Sequence, residues 1–231
     1  MAWTFRPPLR CKADPEMDAR HGDDVMKVPR KPADIEEGDD LHDFANEVEM
    51  SVRIRALDPD QRYFLPLSDE ECELDRAVID ARFGAESPTR RGYFIPYGGI
   101  PLYKAVRNAT PNDAYIWLQH LLEAIQVLKA ADIIHGDLHS GNIVIDPNGL
   151  LPRIIDFGAA RKLKPGEVAQ YDNLDVHALA MVFQHTVIYN LQQRFLNDQQ
   201  LLKLESLIEM LDTKPTHSTQ QMLEEMSHRI Y

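Results

Sequence analysis

The chain has 231 residues, 44% of them apolar types, which is enough to bury a core as one domain or as two small lobes. Its 37 acidic against 25 basic side chains leave a formal net charge of −12, which repels phosphate backbones and anionic lipid and argues against nucleic-acid or membrane partners. No uncharged apolar run reaches the roughly 18 residues of a membrane span, and the N-terminus lacks the apolar core of a signal peptide, so a cytoplasmic protein is expected. Cys11 and Cys72 lie far apart, and neither their number nor their spacing suggests a disulfide framework or a zinc site.

In chain order, "DVMKV" at 24 to 28 reads as a short strand. A helix is expected over 41 to 57, where Leu41, Phe44, Ala45, Val48 and Val52 recur at helical spacing behind the capping candidates Asp39 and Asp40. The acidic clusters at 34 to 40 and 68 to 75 read as solvated loops or helix starts, and 83 to 92 as a surface connection. A second strand, "GYFIPY", follows at 92 to 97.

Beyond Tyr97 the pattern turns helical. Thr110, Pro111 and Asp113 give a helix start, continued by Leu118, Leu121, Leu122, Ile125 and Leu128. "IVID" and "PRIIDF" read as strands joined by the Asp-Pro-Asn-Gly turn at 146 to 149. "LDVHALAMVFQHTVIYNL", from 174, is apolar on nearly every face, as the central helix of a helical lobe would be; two amphipathic helices are expected near 198 to 212 and 218 to 230.

The polar loop "HGDLHSGN" at 135 to 142 precedes the first of those paired strands, and Asp156 follows the second. One hairpin therefore gathers Asp137, Asn142 and Asp156. An oxygen-rich set of this kind suits a hard ion such as magnesium better than zinc, and magnesium usually arrives with phosphates. His135 and His139 lie on a loop and are not read as ligands.

These residues resemble the protein-kinase superfamily, whose catalytic loop H-x-D-x-x-x-x-N matches His135, Asp137 and Asn142 and whose D-F-G matches Asp156, Phe157 and Gly158. The resemblance spans about residues 20 to 190. It implies an α+β, two-lobed fold with a β-rich lobe over 1–96 carrying one positioning helix, a helical lobe over 97–231, and ATP and Mg2+ as cofactors. Asp137 would accept or orient the attacking hydroxyl, while Asn142 and Asp156 would hold the metal. Lys27, in "VMKV", would serve the phosphates with Glu47 as its ion-pair partner, Glu49 being a competing choice on another helix face. Backbone around Pro96 to Gly98 would contact the adenine. Asp175 resembles the acid that braces the catalytic loop, although a simple helix cap explains it equally well.

Three features depart from the pattern. The segment before Lys27 has no glycine-rich loop, Gly136 and His139 stand where many protein kinases carry Arg and Lys, and the stretch from Asp156 to Asp175 lacks A-P-E and carries only Tyr171 as a hydroxyl. "HGDLHSGN" is also similar to small-molecule phosphotransferases and other atypical kinases. The expected function is an ATP- and magnesium-dependent Ser/Thr protein kinase of minimal type, with a protein substrate and a possible place in a larger assembly. The alternatives are a small-molecule kinase and a weak or inactive kinase-fold binding module. The stretch 46 to 67 resembles compact kinases of large DNA viruses, which would place the protein in host cytoplasm or a virion.

Overall fold

The computed structural model describes residues 2–12, 14–29, 39–83, 91–146, 151–167, 171, 173–213 and 224. The chain divides into two compact units, one of Met1–Ala56 with Leu65–Tyr97 and the other of Leu57–Phe64 with Gly98–Tyr231. Residues 57–64 thus belong with the second unit, whereas the sequence alone placed a single cut after residue 96. The class is α+β.

The first unit is built on an antiparallel sheet of order β1-β2-β5-β4, formed by β1 (Ala2–Phe5), β2 (Val25–Pro29), β4 (Glu71–Glu73) and β5 (Arg91–Ile95). Lys27 lies in the inner strand β2, opposite Thr4 on one side and Tyr93 on the other. Two of these strands were not expected. β1 occupies the unassigned N-terminus, and β4 lies inside the acidic stretch 68 to 75, where Glu71 and Glu73 face solvent and Cys72 is buried between them. Alternation over three residues is too short a signal to read without the partner strand.

Around the sheet lie α1 (Pro15–Arg20), α2 (Asp39–Leu57) and α3 (Arg76–Phe83). The buried face of α2 is Glu47, Met50, Ser51 and Ile54, while Val52 is exposed. The apolar stripe read from the sequence was therefore turned from the true inner face, because that face carries two polar residues with partners. Ser51 Oγ accepts the Leu67 N–H at 3.1 Å, and Glu47 pairs with Lys27.

Met26, Val28, Leu74, Ile79 and Phe94 form the core of this unit, together with Cys11 and Cys72. Contrary to the sequence reading, those two cysteines are joined as a disulfide across 61 residues. Cysteines so distant in sequence meet because Cys11 bridges Leu74 at the rim of the sheet, next to β4.

In the second unit, Asp58 organises the turn that leads into β3 (Phe64–Leu65): its carboxylate accepts the amides of Arg62, Tyr63 and Phe64 at 3.0, 2.7 and 2.9 Å. The long helix α5 (Pro111–Ala130) follows the short strand β6 (Ile100–Pro101) and helix α4 (Leu102–Ala105). α5 starts with a full capping box between Thr110 and Asp113 and buries Ala114, Trp117, Leu118, Leu121, Ile125 and Leu128. Capping and periodicity agree here, so the sequence placed this helix accurately. β7 (Ile133–Ile134) pairs with β10 (Arg161–Lys162), and β8 (Ile143–Ile145) pairs antiparallel with β9 (Pro152–Ile155), Ile143 opposite Ile154. Residues 147 to 149 of the expected turn lie outside the described residues.

α6 (Leu174–Val182) continues through a π-helical turn, Phe183–Ile188, into α7 (Tyr189–Gln192). It buries Val176, Leu179, Phe183, Val187, Ile188 and Leu191, in keeping with a central helix. α8 (Gln199–Thr213) packs on it, and the helix expected at 218 to 230 lies outside the described residues except for Glu224.

Candidate active site

In the first unit, Lys27 Nζ donates to both Glu47 oxygens at 2.7 Å, and both residues are buried. The strand places the lysine inward and the helix presents Glu47 one turn from Phe44, whose ring lies 4.7 Å from that of Tyr93, the cross-strand neighbour of Lys27. Two charges buried together in this geometry satisfy one another, whereas either alone would be costly. Glu49 points elsewhere, to Arg53 at the surface. Pro96 follows β5, closing this unit with Tyr97. Arg6 stacks on the Tyr97 ring, 3.3 Å from its centroid. The connection from β1 to β2 holds α1 and a single glycine, Gly22, where the resemblance called for a glycine-rich loop.

Gly98 begins the longer segment of the second unit and is buried; Gly99 beside it has φ +108°, and a Cβ there would lie 2.0 Å from the Ile145 carbonyl oxygen, so no other residue fits.

The polar loop of this unit is held from three directions. From α6, the Asp175 carboxylate accepts the His135 N–H at 2.7 Å and the Gly136 N–H at 3.1 Å. The residue preceding the helix is Asn173, so Asp175 braces the loop and is not the cap. His135 is fully buried, with Nε2 donating to the Ile155 carbonyl at 3.1 Å and Nδ1 accepting the Asp137 N–H at 3.3 Å. Those two bonds require the neutral ring. Burial lowers its pKa, outweighing the nearby Asp175 carboxylate. Gly136 takes φ +78° with the Ala159 carbonyl oxygen 2.9 Å from where a Cβ would stand, which explains why no side chain occupies this position.

Asn142 is buried and donates Nδ2–H to the Asp137 carbonyl at 3.0 Å, while its own carbonyl accepts the Ile155 N–H at 2.9 Å. One residue thus ties the loop to the strand that delivers Asp156. Asp156 has φ +66°, a conformation uncommon outside glycine, and its Oδ1 accepts the Gly158 N–H at 3.4 Å. Phe157, buried, turns inward against Phe64 and His135 with centroids 5.9 and 5.3 Å apart. Burying Phe157 turns Asp156 away from the core, and the left-handed backbone is what permits the reversal.

Asp137, Asn142 and Asp156 are therefore brought to one end of the hairpin. As a donor set for a cation they supply a carboxamide oxygen and carboxylates, and the Asn142 amide N–H is already used within the loop, leaving its oxygen for a ligand. This chemistry fits a hard divalent ion. Among the described residues no group of three His, Cys, Asp or Glu side chains could hold a metal alone, so such an ion would depend on further oxygens from its ligand. Gly141, to which the sequence reading gave no role of its own, donates its N–H to His139 Nδ1 at 3.0 Å.

Residues 100–190 match the family described as Protein kinase domain. A probable serine/threonine-protein kinase, PkwA of Thermomonospora curvata, is 35% identical over 96 residues, covering 40% of this chain and 12% of that protein. Sperm motility kinase 2A of Mus musculus is 36% identical over 72 residues, 30% of this chain and 14% of the relative. The probable serine/threonine-protein kinase MRK1 homolog of Encephalitozoon cuniculi is 36% identical over 64 residues, 28% and 20% of the two chains. The matched stretch thus spans a fifth or less of each of these relatives. None of the three is viral, and they lend the viral likeness no support. No helix among the described residues is long and apolar enough to cross a membrane. The stretch similar to the protein-kinase family, residues 100–190, holds both the loop at 135–142 and Asp156 to Gly158, so the likeness lies where the site lies.

Proposed function

We propose that this chain is an ATP- and magnesium-dependent phosphotransferase, a protein kinase of minimal type acting on Ser or Thr. The observation that carries the reading is the hairpin cluster, in which Asn142 hydrogen-bonds the Asp137 carbonyl and pairs with the backbone of Ile155, beside Asp156. Asp137 orients the attacking hydroxyl and accepts its proton, and its side chain is 61% exposed, free to meet a substrate. Asn142 and Asp156 hold magnesium, which when bound neutralises phosphate charge. Lys27, positioned by Glu47, binds the nucleotide phosphates, and the backbone from Pro96 to Gly98 takes the adenine edge. The Ser/Thr preference rests on two of the relatives, each named a probable serine/threonine-protein kinase.

The single glycine between β1 and β2 favours a second reading, a kinase fold that binds nucleotide but turns it over weakly or not at all. Thermal stabilisation by MgATP, with phosphate transfer to casein measured in parallel, separates the two. The kinase reading expects Asp137→Asn to keep the stabilisation and to lose transfer by orders of magnitude. Equal transfer by wild type and Asp137→Asn, or none by either with ATP bound, would leave the binding-module reading.

A further inference from the structure

We infer that His139 is a positioning residue for the Asp137 carboxylate, and that Gly141 exists in this loop to seat its ring. This rests on the kinase reading above. Three observations converge on it. The Gly141 N–H donates to His139 Nδ1 at 3.0 Å, so Nδ1 is the unprotonated nitrogen and the neutral ring carries its hydrogen on Nε2. Nε2 stands 3.8 Å from Asp137 Oδ2, while the backbone N–H and carbonyl of Asp137 are taken by His135 and Asn142. A Cβ at position 141 would lie 2.8 Å from Cε1 and 3.0 Å from Nδ1 of the ring, so a side chain there would push the imidazole out of this place.

The arrangement gives the ring two separable functions. Its Nδ1 caps the loop through Gly141, and its Nε2–H faces the carboxylate whose orientation decides where a hydroxyl is held. Both side chains are more than half exposed, at 54% and 61% for His139 and Asp137, so the contact adds little to folding stability. Its value lies in restricting the Asp137 carboxylate when a substrate hydroxyl arrives. A bound substrate and nucleotide would exclude water from the pair and strengthen it.

Side-chain geometry supplies the test. Asparagine places a polar atom near Nδ1 and can still cap the Gly141 amide, while glutamine reaches the Nε2 position and can still donate toward Asp137. In phosphate transfer from MgATP to casein by the full chain, His139→Ala should lower kcat about 10- to 100-fold with the KM for ATP unchanged. Glutamine should restore most of that rate and asparagine should not; Gly141→Ala, which displaces the ring, should reproduce the alanine defect. Restoration by asparagine and not glutamine would reduce His139 to a loop cap and overturn the inference. Wild-type kcat in His139→Ala, with Asp137→Asn inactive, would overturn it while leaving the kinase reading intact. Full transfer by Asp137→Asn, or no transfer by wild type, would remove the reading beneath it.

Discussion

Glu47→Leu strips the buried Lys27 ammonium of a carboxylate that holds it with both oxygens at 2.7 Å, in a place where the two side chains are only 9% and 5% exposed. An exposed pair would be worth little, but removal of one member of a buried pair leaves the other charged and desolvated, at a cost of about 3–5 kcal/mol. Lys27→Met should cost a similar amount by removing the cation that balances the buried Glu47 carboxylate. Replacing both with apolar residues removes both charges, so Lys27→Met with Glu47→Leu should lie well above either single variant and close to wild type. Urea denaturation followed by circular dichroism, with hydrogen exchange at the amides of β2 and β5 as a local reading, measures all four proteins. The double variant also separates fold from function, since it should be stable and yet gain no stability from MgATP. Single variants costing under about 1 kcal/mol, or a double variant showing the sum of both losses, would refute the argument from buried charge.

Two further outcomes follow from the histidines and the disulfide. His21 is stacked on Phe94 and bonded to Asp24 and Glu70 at 2.7 Å each; burial opposes its cation, but those carboxylates prevail and raise its pKa. Its stabilisation is therefore complete below the ordinary value of 6.5 and lost as pH climbs through the raised one. His135 and His120 are lowered by burial, so their contribution is present above 6.5 and lost as pH falls below it. The melting-temperature gap between wild type and His21→Gln should accordingly shrink from acid to alkaline pH, and a constant gap would dismiss the role given to His21. For Cys11→Ser, loss of a cross-link spanning 61 residues should lower stability by up to about 4 kcal/mol, and a reducing agent should bring wild type to the same level. Thiol alkylation counted by mass spectrometry checks that the bond exists; two free thiols in the native, unreduced protein would disprove it.

What the sequence determined by itself is local. Thr110 and Asp113 close a capping box within one helical turn, and α5 starts there. The motifs at 135–142 and 156–158 flank two strands whose pairing needs only a short connection, so Asp137, Asn142 and Asp156 were bound to share one end of a hairpin. The tertiary structure decided whatever depends on distant partners. Asp175 could have been a cap or a brace, and only the loop some 40 residues earlier settles it. The inner face of α2 was misread because hydrophobic periodicity has no symbol for a buried Glu47, which is tolerable only once Lys27 meets it. β1 and β4 are too short to announce themselves; each becomes a strand because a neighbour already offers its unpaired amides and carbonyls. Cys11 and Cys72 join for the same reason, since the sheet brings both to its rim across the 61 residues between them.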